Sequence, residues 1–200
     1  MPDTGAPYFI PFADPTDLVR DWPALSEDVA EAVADGLDAA GGLVAVKSAI
    51  FTGTQVESVL AGDNLTVTDL EITHALADAG NKLIISAFLG AAATSDSRGR
   101  VGLAVHDGTG LIAIGDADGS RPRVTAGGLV SPTTSAEVVR MPSVTFVHTP
   151  NTTDSKTYTV RAINIRNDTR TVFINRTELD TNDAFNPRAV SSLVIQEVKV

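Results

Sequence analysis

Along most of this chain, apolar and polar residues either alternate or gather in short blocks, and a longer period appears only near the start. The block 81–89, NKLIISAFL, is apolar in both alternating sets: Leu83, Ile85 and Ala87 in one, Ile84 and Phe88 with Ser86 in the other. A strand that is apolar on both sides belongs in the middle of a β structure. It follows 65–76, LTVTDLEITHAL, which ends in the polar turn Ala77-Asp78-Ala79-Gly80, and the two are expected to pair as a hairpin nucleus. Further strands are expected at 43–51, 100–106, 111–114, 156–166, 171–175 and 191–200, with a weak one at 123–130. Asp107-Gly108-Thr109-Gly110 is a hairpin-type turn between two of them. The segment 137–148 runs through Pro142, which implies a sheet edge or a bulge. In 156–166, Tyr158, Val160, Ala162 and Asn164 alternate with Thr157, Thr159, Arg161 and Ile163. The last strand, 191–200, has apolar residues on both faces and reads as internal. Short strands with turns at this spacing predict a mainly β, antiparallel sandwich of the jelly-roll kind.

The first 42 residues have a different texture. Prolines at 2, 7, 11 and 15 predict an extended arm, and Tyr8, Phe9, Ile10 and Phe12 are interleaved with them. An apolar tetrad of this size packs on something, either its own domain or a partner. Over 21–42 the period becomes helical. Leu25, Val29, Ala32 and Gly36 follow the 4-3-4 spacing of a short coiled-coil seam, Asp21 caps the start, and Gly41-Gly42 stops it. Such a helix packs on its own protein or self-associates. The chain therefore divides into an arm with one short helix, 1–42, and a β domain, 43–200.

Charge sharpens this division. Residues 1–40 hold nine acids and a single base, net −8, whereas the whole chain of 200 residues carries −10. An acidic balance argues against nucleic acid as a partner, while the acidic block is either a solvated helix face or an arm that docks on a positive surface. At 43% hydrophobic residues the chain can bury a core, but aromatics are only 5%, so Val, Ile, Leu and Ala must build it. With no cysteine, disulfides and thiolate metal sites are excluded. The acidic, proline-rich start predicts no signal peptide, and the apolar runs are too short for a membrane span.

The residues that could carry chemistry are sparse. His74, His106 and His148 fall on separate strands without metal-ligand spacing. Asp116-Ala117-Asp118-Gly119 resembles the start of a calcium loop, but its twelfth position is Gly127 where a bidentate acid is needed. There is no nucleophile elbow and no phosphate loop, and no cofactor is implied. The Asn-x-Thr triplets at Asn64, Asn151, Asn167 and Asn175 read as threonine-rich turns. No enzymatic activity is expected. Loops between strands carry Arg98, Asp116, Asp118, Arg121 and Arg123, the candidates for recognition on a sandwich.

The order of motifs resembles one family. A strand closing in a polar turn, NKLIISAF, a glycine-rich middle, HTPNTTDSKTYTVRAINIR, TVFINRT and a terminal SSLVIQEV are similar to the C-terminal head domain of bacteriophage tail-fibre and virion-fibre proteins. The resemblance covers roughly 67–200, and His148-Thr149 stands where the family has an aspartate before the proline. It implies a homotrimeric jelly roll, similar to complement-globular-head and tumour-necrosis-factor-like domains. The head would face outward and bind host glycan or protein, or simply decorate the particle. Tyr8, Phe9, Ile10 and Phe12 would hold another virion protein, and the helix seam would lie at the trimer axis. The resulting expectation is a short tail fibre or spike on the virion surface. Head decoration, a collar fibre and a free carbohydrate-binding module are the alternatives.

Overall fold

The computed structural model describes residues 30–32, 42–95, 100–127, 139–184 and 186–200. Tyr8, Phe9, Ile10, Phe12, Leu25, Val29, Gly36 and Arg98 lie outside the described residues, as do the arm and nearly all of the expected helix. Ala30–Ala32 are helical, and Ala32 is half-buried.

The described chain is mainly β, and its sheets are antiparallel. Twelve strands follow in order: β1 (Leu43–Phe51), β2 (Gln55–Val59), β3 (Asn64–His74), β4 (Lys82–Phe88), β5 (Ala92–Thr94), β6 (Val101–His106), β7 (Leu111–Ile112), β8 (Ala126–Gly127), β9 (Ser143–His148), β10 (Lys156–Asn164), β11 (Arg170–Ile174) and β12 (Ser191–Val198). Sheet A has the order β1-β12-β4-β9. Sheet C has the order β3-β10-β6-β7, with β8 also paired to β6, and a small sheet B joins β2, β11 and β5.

Sheets A and C pack face to face. Leu83, Ile85, Leu193 and Ile195 from sheet A meet Val67, Leu70, Ile72, Leu103, Tyr158 and Val160 from sheet C in one core. The core rests on aliphatic residues, as the composition requires. Both β4 and β12 are central strands, as their two-sided apolar pattern implies, and β9 begins directly after Pro142 at the edge of sheet A.

The expected hairpin between 65–76 and 81–89 does not form. β3 belongs to sheet C and β4 to sheet A. Each presents one strongly apolar row, and the rows meet across the sandwich, which buries more than edge pairing would. β3 keeps its apolar row inward along its whole length because of a bulge. Asp69 adopts φ 58°, and the alternation slips so that Leu65 and Val67 before it and Leu70, Ile72 and His74 after it are all buried. Three smaller departures follow from local geometry. The 111–114 strand stops at Ile112 because Ala113 turns to φ 51°. The weak 123–130 strand is reduced to Ala126–Gly127. β2 and β5 had no signal above their polar or alanine-rich surroundings, and their pairing with β11 forms them.

A buried carboxylate fastens the connection from β3 to β4. Glu197 is 1% exposed, on the inward row of β12. Its Oε1 accepts hydrogen bonds from Ala77 N (2.8 Å) and Asn81 Nδ2 (2.7 Å), and its Oε2 lies 2.8 Å from His74 Nε2. Burial alone would raise its pKa, but the bonds from Asn81, Ala77 and His74 outweigh it, and the carboxyl is held below the ordinary glutamate value. A second polar tie closes the other end of β12. Asn175 donates to Phe51 O (2.8 Å) and Gly53 O (2.9 Å) and accepts from Ser191 Oγ (2.6 Å). Here Gly90 passes so close that a Cβ would stand 2.1 Å from Val190 O.

The outward face of sheet A mixes apolar and polar residues across all four strands. In register, Val46 lies beside Gln196, then Ile84, then Val147, and one step away Ser48, Val194, Ser86 and Thr145 follow. Val46, Ile50 and Val147 are 53%, 60% and 61% exposed.

Glu197 sets a pH dependence. Its folded-state pKa lies below its unfolded one, so its contribution is complete above the ordinary glutamate range and is lost as pH falls through the folded value. Glu197→Gln is expected to cost about 1.5–3 kcal/mol at neutral pH and to make the acid limb of the melting-temperature profile shallower. Calorimetry from pH 7 to 3 checks this; a profile parallel to wild type would assign the acid limb to other carboxylates.

Candidate functional site

The outer face of sheet C carries a concavity that the recognition loops contribute to. Outward positions on β6 are Gly102 and Ala104, both small, and the half-buried His106. The chain after β7 folds back over them. Thr125 N donates to Leu103 O (2.9 Å), Thr125 Oγ1 to Ile112 O (3.2 Å), and Gly115 N to Val124 O (3.2 Å). Val124 fills the space above Gly102, where a Cβ would lie 2.4 Å from its side chain. Glycine is therefore required at 102 for the loop to seat.

Between this loop and the β3–β10 side of the sheet lies an open groove of about 640 Å³. Leu111, Ile114 and Pro122 provide its apolar surface, with buried Ile163 beneath, and Asn64, Ser120, Arg121 and Arg123 its polar groups. The guanidinium of Arg123 is oriented by its Nε, which donates to Gly115 O at 2.6 Å. Arg121 pairs with Asp118 at 2.7 Å, but both side chains are largely exposed (81% and 69%), so the pair contributes only about 0–1 kcal/mol.

Of the recognition candidates, the structure thus brings Arg121 and Arg123 together in one groove and makes Asp118 the partner of Arg121. Asp116 is exposed in the same loop but does not line the groove. Asn64 and Ile163 line it and were not among the candidates. The one available signal was Ile163, an apolar residue in the otherwise polar outward row of β10.

The Asp107 turn anchors the same hairpin. Asp107 Oδ1 accepts Thr109 N (3.0 Å), Thr109 Oγ1 (2.6 Å) and Gly110 N (3.1 Å), and Oδ2 pairs with Lys156 Nζ at 2.6 Å. Burial opposes ionisation, yet Lys156, Thr109 and Gly110 together hold this carboxyl well below the carboxylate range. Nearby, His148 meets Tyr158 edge to face at 5.9 Å. Burial, with Lys156, lowers the histidine pKa against the pull of Asp107, and burial pushes Tyr158 up to about 12. The three histidines serve local roles: His74 on Glu197, His106 accepting Gly108 N at 3.0 Å, and His148 on Tyr158. Among the described residues no group of three or more His, Cys, Asp or Glu is placed to hold a metal ion, and no helix is long and apolar enough to cross a membrane.

No protein-family profile matches the chain, and no curated protein matches it in sequence.

Gly102→Ala is expected to unseat the covering loop. It should lower stability by about 1–3 kcal/mol and raise hydrogen exchange at Gly115 and Thr125 more than at the sheet A amides. Exchange measured by NMR distinguishes this from uniform destabilisation, which would show that the loop is not held by the Gly102–Val124 contact.

Proposed function

We propose that this chain is a bacteriophage structural protein, a short homotrimeric tail fibre or spike whose β domain is a jelly-roll head used in host attachment. The motif order described above is the basis for the family. Strand order supports the jelly-roll reading. Without β2, β5, β8 and β11, eight strands remain, and numbered afresh in chain order they run 1-8-3-6 in sheet A and 2-7-4-5 in sheet C. That arrangement is obtained when a long hairpin is wrapped into two facing sheets, with the first and last strands adjacent.

The observation that carries the oligomeric part is the outward row of sheet A. Val46, Ile84, Val147, Ile50 and Val194 are apolar points on the outward face of this four-stranded sheet, set among Gln196, Ser48, Ser86, Thr145 and Ser192, and Val46, Ile50 and Val147 are each more than half exposed. Burying such a surface contributes about 25 cal/mol per Å². A homotrimer covers it with copies of itself, and a closed ring leaves no sticky face. In this reading the acidic 1–42 segment, with Tyr8, Phe9, Ile10 and Phe12, joins a basic surface on a neighbouring virion protein. Gel filtration with light scattering should give about three chains per particle. Val194→Glu should yield a folded monomer, because the side chain faces away from the core; a wild-type monomer at micromolar concentration would overturn the oligomer.

Immunogold labelling of virions tests the assignment to the particle. Label at the tail tip or tail side supports a fibre, and label on the capsid or collar makes it a decoration or collar fibre. Absence from virions would reject the structural-protein reading in favour of a free carbohydrate-binding module.

A further inference from the structure

We propose that the groove over sheet C binds a carboxylate-bearing sugar, with Arg123 as its anchor. The proposal deepens the host-attachment reading and rests on it for its biological setting, though not for its chemistry.

A groove of about 640 Å³ falls in the range of small-ligand sites. Its mixed surface, apolar from Leu111, Ile114 and Pro122 and polar from Asn64 and Ser120, matches a molecule with both apolar ring faces and hydroxyls. Among the described residues no aromatic side chain lines the groove, so a neutral sugar would lack stacking from them and something else must hold it. The arginines supply that. With Nε of Arg123 committed to Gly115 O, the guanidinium plane is fixed and its two Nη groups remain for a ligand. A fixed guanidinium fork matches a carboxylate in two parallel bonds. Arg121 is the adjustable partner. Its exposed bond to Asp118 already shows a carboxylate in place on it, and a ligand carboxylate replaces that weak pair at little cost.

Net charge narrows the class only a little. Residues 1–40 hold −8 of the chain's −10, so the β domain that bears the groove carries −2 and opposes polyanions weakly. A single carboxylate on an otherwise neutral saccharide meets the local arginines with little of that repulsion. The groove also crosses the strands, from Asn64 on β3 to Leu111 on β7. An extended acidic peptide lying there would not add to a sheet edge and would leave its backbone groups unpaired.

Titration of the full-length protein decides the matter, with NMR shifts or calorimetry as the readout. The probes are oligosaccharides containing glucuronic acid or sialic acid, the same oligosaccharides with the carboxyl reduced to an alcohol, and a glutamate-rich hexapeptide. At least one acid-bearing sugar should bind ten-fold or more tightly than its reduced form, and added salt should weaken it. Arg123→Ala should reduce that affinity at least ten-fold with an unchanged melting temperature, and Arg123→Lys should restore only part, since lysine lacks the fork. Equal binding of acid and reduced forms, binding of the peptide alone, no binding of any probe, or full affinity in Arg123→Ala would each overturn the proposal. Labelled virions with no sugar binding would leave the fibre reading standing without this groove. Sugar binding by a protein absent from virions would do the reverse.

Discussion

Glu197 is the constraint on which the rest of the fold depends. A carboxylate 1% exposed on a central strand is tolerated only if its charge is met by donors. Those donors come from three places in the chain: His74 at the end of β3, Ala77 in the connection, and Asn81 at the start of β4. Satisfying this one group therefore sets where the chain leaves sheet C and enters sheet A. Asn175 plays the matching part at the opposite end of β12, where it ties the ends of β1 and β11 to Ser191. The last strand is thus held by polar groups at both ends and by Leu193 and Ile195 between them.

With both ends of β12 fixed, the two sheets are left with different outer faces. The sheet C face is covered over β6 by its own chain, because Gly102 lets Val124 settle on the strand, and the space beside it becomes a groove edged by Arg121 and Arg123. The sheet A face exposes Val46, Ile50 and Val147 among Gln196, serines and Thr145.

Much of the strand inventory was legible in the chain because a two-residue period and turn residues are local properties. β1 was expected over 43–51 and is found there, and Pro142 correctly marked an edge. The strands that were not legible, β2 and β5, are short and form only because β11 lies between them. The groove was half legible. Arg121 and Arg123 stand out as arginines in a loop, whereas Asn64 and Ile163 come from β3 and β10, distant in sequence, and only folding brings them to the same place.

By itself the sequence determined the class, mainly antiparallel β on an aliphatic core, and the central rank of the strands around Ile85 and Ile195. Alternation is written into neighbouring residues, so it survives without knowledge of the partners. Which strands became partners was decided only in three dimensions. The rows of β3 and β4 could have met edge to edge in a hairpin; they meet face to face because apolar burial across the sandwich and the donors around Glu197 are satisfied together only that way. Pairing is a non-local choice among strands with similar patterns, and it is settled by packing and by buried polar groups that no local period encodes.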